Sequence, residues 1–114
     1  MDIRIIKEPI KMQVVKEIAR EFYKDMVKGV VDIEREVMAL GGEWHMDSNQ
    51  VLIKDGSKQY NVWGFNIYLN RKGKDRVEYT SLINIRPVDG NRSMEVKSFI
   101  ICDKMYNIIN KLII

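Results

Sequence analysis

The chain has 114 residues, a net charge of +3, 46% hydrophobic and 31% charged residues. That is enough apolar material for one domain with its own core and too little for two, and it excludes a long disordered or collagen-like polymer. One cysteine and one histidine exclude an internal disulfide and a structural zinc site of the usual kind, which fits a reducing cytoplasm.

In chain order, Ile3 to Ile6 predicts a short strand that Pro9 ends. From Met12 onward Val15, Ile18, Phe22, Met26, Val30, Ile33, Val37 and Leu40 recur every three or four residues, the stripe of an amphipathic helix closed by Gly41-Gly42. Opposite charges such as Glu17 with Arg20 and Asp32 with Arg35 fall at helical spacing on its polar side. Such a helix, roughly 29 residues and about 43 Å long, outruns a domain about 34 Å across. It must bend near Gly29 or be covered by another subunit.

Beyond Gly42 the period changes to two. Glu43 to Asp47, Val51 to Lys54, Val62 to Leu69, Arg76 to Val88 and Asn91 to Lys97 read as strands joined by polar turns. In the third, Trp63, Phe65, Ile67 and Leu69 share one face, and Gly64, Asn66 and Tyr68 the other. Asp89-Gly90 suits a two-residue type I′ hairpin turn. That register sets Val88 opposite Asn91 and Arg86 opposite Ser93; Ile83, Ile85, Met94 and Val96 are then core, and Asn84, Arg86, Ser93 and Glu95 polar. Ser98 caps a last helix from Phe99 to about Ile113 that carries two apolar stripes. The expected architecture is α+β: a mainly antiparallel sheet of about five strands, with a long N-terminal helix and a shorter C-terminal helix packed on one face, as a single domain over 1–114. No stretch approaches the roughly 20 apolar residues of a membrane span, and no signal-peptide run opens the chain. A soluble, cytoplasmic protein is expected.

The polar sheet face supplies the candidate binding residues Asn66, Tyr68, Asn84, Arg86 and Ser93. An arginine fork with flanking amides suits a small anion; a wetted sheet face with Arg86 paired to Glu95 is the plainer alternative. Glu43, His45 and Asp47 alternate on one presumed strand, but two carboxylates and one imidazole make a poor ligand set, so no metal and no cofactor is expected. Asp25, Asp32 and Glu36 share a helical sector in which Lys28 and Arg35 offer simple ion-pair partners. Cys102 sits on an apolar stripe and reads as core. Arg71, Lys72, Lys74 and Arg76 surround Gly73 in a basic turn. Without interleaved aromatics, this argues against nucleic acid as a partner. Phosphate loops, nucleophile elbows and CxxC knuckles are absent, so no catalytic residue is assigned.

The strings EFYKDMVKGVVDIEREVMALGGEWHMD, DGSKQYNVWGFNIY and SLINIRPVDGNRSMEV resemble the blocks of a family of short archaeal and bacterial proteins of unknown function. The resemblance covers Glu8 to about Val96 and implies no catalytic residue. Function is therefore open among three readings. The first is a homo-oligomeric binding module, a dimer favoured, prompted by the over-long helix and the two-striped last one. The second is a small-molecule or anion-binding enzyme or carrier using the polar sheet face. The third is a weak nucleic-acid binder.

Overall fold

The computed structural model, which describes residues 3–114, forms a β-hairpin where the apolar spacing predicts the second half of a long helix. Strand β1 (Arg4–Ile6) is followed by helix α1, which spans only Met12–Ala19. The chain then turns into strand β2 (Met26–Asp32) and strand β3 (Val37–Leu40). A strand buried on both faces loses its alternation and also satisfies a helical template. Here Val27, Val30 and Val31 and all four residues of β3 are buried, and the β-branched pair favours the extended backbone. Asp32 builds the turn: its Oδ1 accepts from the Glu34 and Arg35 amides at 2.9 and 3.0 Å. Glu36, at φ 57°, completes the reversal. Arg35 pairs with Asp55 at 2.8 Å, a partner that helical spacing did not suggest.

The two strands predicted over Glu43–Asp47 and Val51–Lys54 are replaced by one helix, α2 (His45–Lys54). Its inward face is Ser48, Asn49 and Leu52, so two polar residues hide the helical period. The Asp47 carboxylate accepts from the Trp44 amide at 3.1 Å and fixes the helix start. Ser48 Oγ ties the helix to the Gly41 carbonyl at 2.7 Å.

Strand β4 (Val62–Tyr68) forms as expected, whereas β5 is only Val77–Glu78. The five strands pair antiparallel in the order β1-β3-β2-β4-β5. Beyond Glu78 the chain leaves the sheet through 3-10 turns at Leu82–Asn84 and Pro87–Asp89. The Asp89-Gly90 turn is not type I′. Arg86 pairs with Asn91 across the four residues Pro87 to Gly90, and Gly90 alone of these is left-handed, at φ 81°. Pro87 explains the difference, because its fixed φ suits the second position of an ordinary turn. The expected faces hold only in part: Val96 is buried, Ile83 packs against the core and Glu95 is exposed, but Asn84 is buried while Ile85 and Met94 are exposed.

Helix α3 (Phe99–Leu112) starts where predicted, with Ser98 Oγ accepting from the Ile101 amide at 3.3 Å. Helices α1 and α3 cover one sheet face, joining Val15, Ile18, Met105 and Ile109 to Val27, Val31, Trp63 and Phe65 in the main core. Helix α2 covers the other face, where Leu52 packs with Val30, Ala39 and Val62. The N-terminal and C-terminal helices thus share one face as expected, although α1 is short; α2, which the sequence reads as two strands, covers the other. Much of the apolar girth of α3 is hidden within the chain: Met105, Ile108, Ile109, Leu112 and Ile113 are all buried. Gly64 on β4 admits the 81–84 turn, since a Cβ there would lie 2.6 Å from Ser81 Cβ.

Candidate functional site

Helix α2 covers the second sheet face only at its apolar end. The rest is polar, and its layout follows from register: Lys28 on β2 lies opposite Asn66 on β4, which lies opposite Glu78 on β5, while Tyr68 lies opposite Met26. His45, the first residue of α2, is placed over this row. Of the residues read from the sequence as a site, Asn66 and Tyr68 meet here, joined by Glu78. Glu78 Oε1 accepts from Asn66 Nδ2 at 2.9 Å and from the Tyr68 hydroxyl at 3.0 Å. Burial first, then the bond to Glu78, raises the Tyr68 pKa and keeps the phenol a donor.

His45 Nε2 lies 2.9 Å from the Phe65 carbonyl oxygen. A carbonyl only accepts, so Nε2 carries the proton. Burial lowers the pKa of the ring below its usual 6.5, helped by the Lys28 charge; the Phe65 carbonyl, Asn66 and Glu78 pull the other way. The neutral ring thus holds an unprotonated Nδ1, an acceptor and a potential base. Asn66 Oδ1 is buried and makes no hydrogen bond of good geometry. Lys28 Nζ lies 5.2 Å from both the Tyr23 and the Trp44 ring centroids. Its charge faces aromatic rings, and no carboxylate of the described residues is within ion-pair distance of it. Arg71 stacks over Tyr68 at 3.9 Å.

The other sequence-derived candidates lie elsewhere and hold the fold. Asn84, fully buried, accepts from Gly64 N at 2.8 Å and donates to Gly64 O at 3.0 Å and Met94 O at 3.1 Å. Arg86 donates to the carbonyls of Tyr60, Val62 and Ile83 and stacks over Trp63 at 4.0 Å. The expected Arg86 to Glu95 pair does not form, and Glu95 bonds Lys97 at 3.3 Å instead. Ser93 Oγ donates to the Glu95 carbonyl. Glu43, His45 and Asp47 do not alternate on a strand, and no cluster of three metal-ligating side chains occurs among the described residues. The sequence reading misses Lys28 and Tyr23 as site neighbours because a residue assigned to a helix cannot be placed opposite Asn66, and it misses Glu78 and Trp44, which lie on predicted strands, because nothing in their spacing sets them apart. Reading Met26 to Asp32 as a doubly buried strand would have put Lys28 in the sheet.

Because the folded-state pKa of His45 lies below its unfolded value, the unfolded chain takes up the proton first as pH falls. The stability this group contributes is complete above about pH 6.5 and is lost as pH falls toward the folded-state pKa. The expected result is a steeper fall in melting temperature below about pH 6.5 for the native chain than for His45→Gln. Parallel curves would exclude a buried neutral His45.

These features define an α+β protein with a five-stranded antiparallel sheet, helices on both faces and a polar cluster where α2 leaves the sheet uncovered. The chain belongs to the family described as "Protein of unknown function (DUF5674)", which it matches over residues 4–112. No curated protein and no solved structure matches it. No helix of the described residues is long and apolar enough to cross a membrane.

Proposed function

We propose that the polar end of the second sheet face binds a small organic acid carrying a hydroxyl or amine donor. The observation that supports this reading is the buried Asn66 Oδ1 that makes no hydrogen bond of good geometry, in the row that begins with Lys28, which has no carboxylate of the described residues within ion-pair distance. A buried acceptor without a partner is costly, and a lysine without a carboxylate offers its charge to an anion. The anionic group goes to Lys28, and the donor to Asn66 Oδ1 or His45 Nδ1. A neutral imidazole at this position also suits proton abstraction from a bound acid. The test is a heteronuclear NMR titration with small hydroxy and amino acids, following the Asn66 side-chain amide and the Lys28 ammonium. Saturable shifts are expected, weakened at least about tenfold in Lys28→Met. Absence of any saturable shift at high millimolar ligand would discard the site.

Self-association is a second reading, supported by an apolar surface between the start of α2 and the 83–89 segment. Met46, Tyr60, Ile83 and Ile85 line a shallow groove of about 420 Å³, and Val88, 99% exposed, stands beside Asp89 on its rim. Knob and groove on one face suit an isologous dimer. Sedimentation equilibrium should show a dimer that Ile85→Glu dissociates, and a monomer at every concentration would end this reading. The lone Cys102, which can form no internal disulfide, favours a reducing cytoplasm as the setting.

A further inference from the structure

Folding brings aromatic side chains to the basic turn that lacks them in sequence. A cleft of about 1170 Å³ runs along the outer edge of β5. One wall is the turn carrying Arg71, Lys72 and Lys74; the other is the first two turns of α3, with Phe99 and Tyr106; Tyr79 is part of the floor. Phe99 is 87% exposed although it lies in the cleft lining, so its ring is free to take a flat partner. Tyr106 follows Phe99 by seven residues and so shares its side of the helix. Lys74 Nζ lies 5.7 Å from the Tyr106 ring centroid, which places a cation and an aromatic face side by side. Carboxylates line the cleft too. Glu95 is taken by Lys97 at 3.3 Å, and Glu78 by Asn66 and Tyr68. Asp75 and Asp103 are open to solvent. Among the described residues, Arg71, Lys72 and Lys74 have no carboxylate within ion-pair distance. The Cys102 thiol in the α3 wall is pushed up in pKa by burial, so it stays protonated and inert.

We infer that this cleft is a nucleotide site, with a base stacked on Phe99 and Tyr106 and the phosphate held by Arg71, Lys72 and Lys74. Stacking on an aromatic ring tolerates any base because every base has a π-face, and lysines that neutralise phosphate make binding depend on salt. The site goes beyond the small-acid reading: it needs neither Lys28 nor His45, and the two share only the Arg71 and Glu78 border. A free mononucleotide and the end of a single strand present the same chemistry, and the test separates them.

The experiment is an NMR titration of the full chain with adenosine monophosphate, adenosine, inorganic phosphate and a short single-stranded oligoadenylate. Adenosine monophosphate should shift the amides of residues 71–75 and 99–103 together with the Phe99 ring protons. Adenosine should reach only the aromatic set and phosphate only the basic set, each more weakly. Phe99→Ala and the double variant Lys72→Gln/Lys74→Gln, all at exposed positions, should each weaken binding about tenfold, and Lys28→Met should leave it unchanged. An oligonucleotide binding far more tightly than the monomer assigns the site to a strand end; equal affinity assigns it to the free nucleotide. No shift at either set, or shifts that survive both the Phe99 and the lysine variants, would overturn the inference while leaving the small-acid site to stand or fall on Lys28.

Discussion

Asn84→Ala is expected to lower the unfolding free energy by about 3–4 kcal/mol, a large part of the margin of a small domain. The side chain is fully buried and makes three bonds, two to the Gly64 peptide groups and one to Met94 O. Removing it leaves the buried Gly64 N–H and C=O without partners, at about 1–3 kcal/mol each before any relaxation or water entry, while Met94 O keeps the Ser81 amide at 3.0 Å. These bonds tie the 81–97 segment to the edge of β4 that faces away from β2 and has no strand beside it at Gly64; β5 pairs only with Asn66 and Ile67. Asn91 reinforces the same segment, donating to the carbonyls of Asn84, Ser93 and Glu95 and accepting from the Lys97 amide. Asn84→Asp keeps the acceptor for Gly64 N but loses both donors, so it should recover little of the loss. Urea denaturation measures both, and a loss below about 1 kcal/mol would mean that Asn84 does not anchor the segment.

The same residue shows where the sequence was legible. Strand β4 could be read because its two faces differ, with Trp63, Phe65 and Ile67 on the core side and Gly64 and Asn66 on the other. Helix α3 could be read because Ser98 caps it and its apolar period is long. Asn84 was read as surface because polar residues on a strand usually face water, and nothing local reveals that a backbone stripped of its neighbour strand needs an asparagine as a substitute. The β2–β3 hairpin is misread for a different reason: Val30-Val31 and Val37 to Leu40 are buried on both faces, so the strands lose their alternation and their apolar residues also fit a helical spacing. Loss of that hairpin removed Lys28 from the sheet, and with it the row that organises the candidate site. Asn66 and Tyr68 survived because their strand was read correctly.

Asn66→Asp is expected to destabilise the protein by about 3 kcal/mol at pH 7, although the two side chains have nearly the same shape. The amide donates to Glu78 Oε1 at 2.9 Å, and a carboxylate there would set two like charges against each other on a largely buried strand. One of the pair must hold a proton, so its folded-state pKa rises above the unfolded values of about 4. A group with a raised folded-state pKa contributes stability that is present below the unfolded pKa and lost as pH rises through the folded one. The difference between variant and native chain should therefore be small near pH 4 and grow toward pH 7, opposite in sign to the contribution of His45. The orientation of Asn66 follows from the same contact. Glu78 Oε1 already receives two donors, so the Asn66 NH₂ must face it, and the carbonyl end Oδ1 is turned away from Glu78 without a hydrogen bond. If chemical denaturation of Asn66→Asp shows a deficit independent of pH, Glu78 is not what orients the amide, and the acceptor offered to a ligand is not fixed in place.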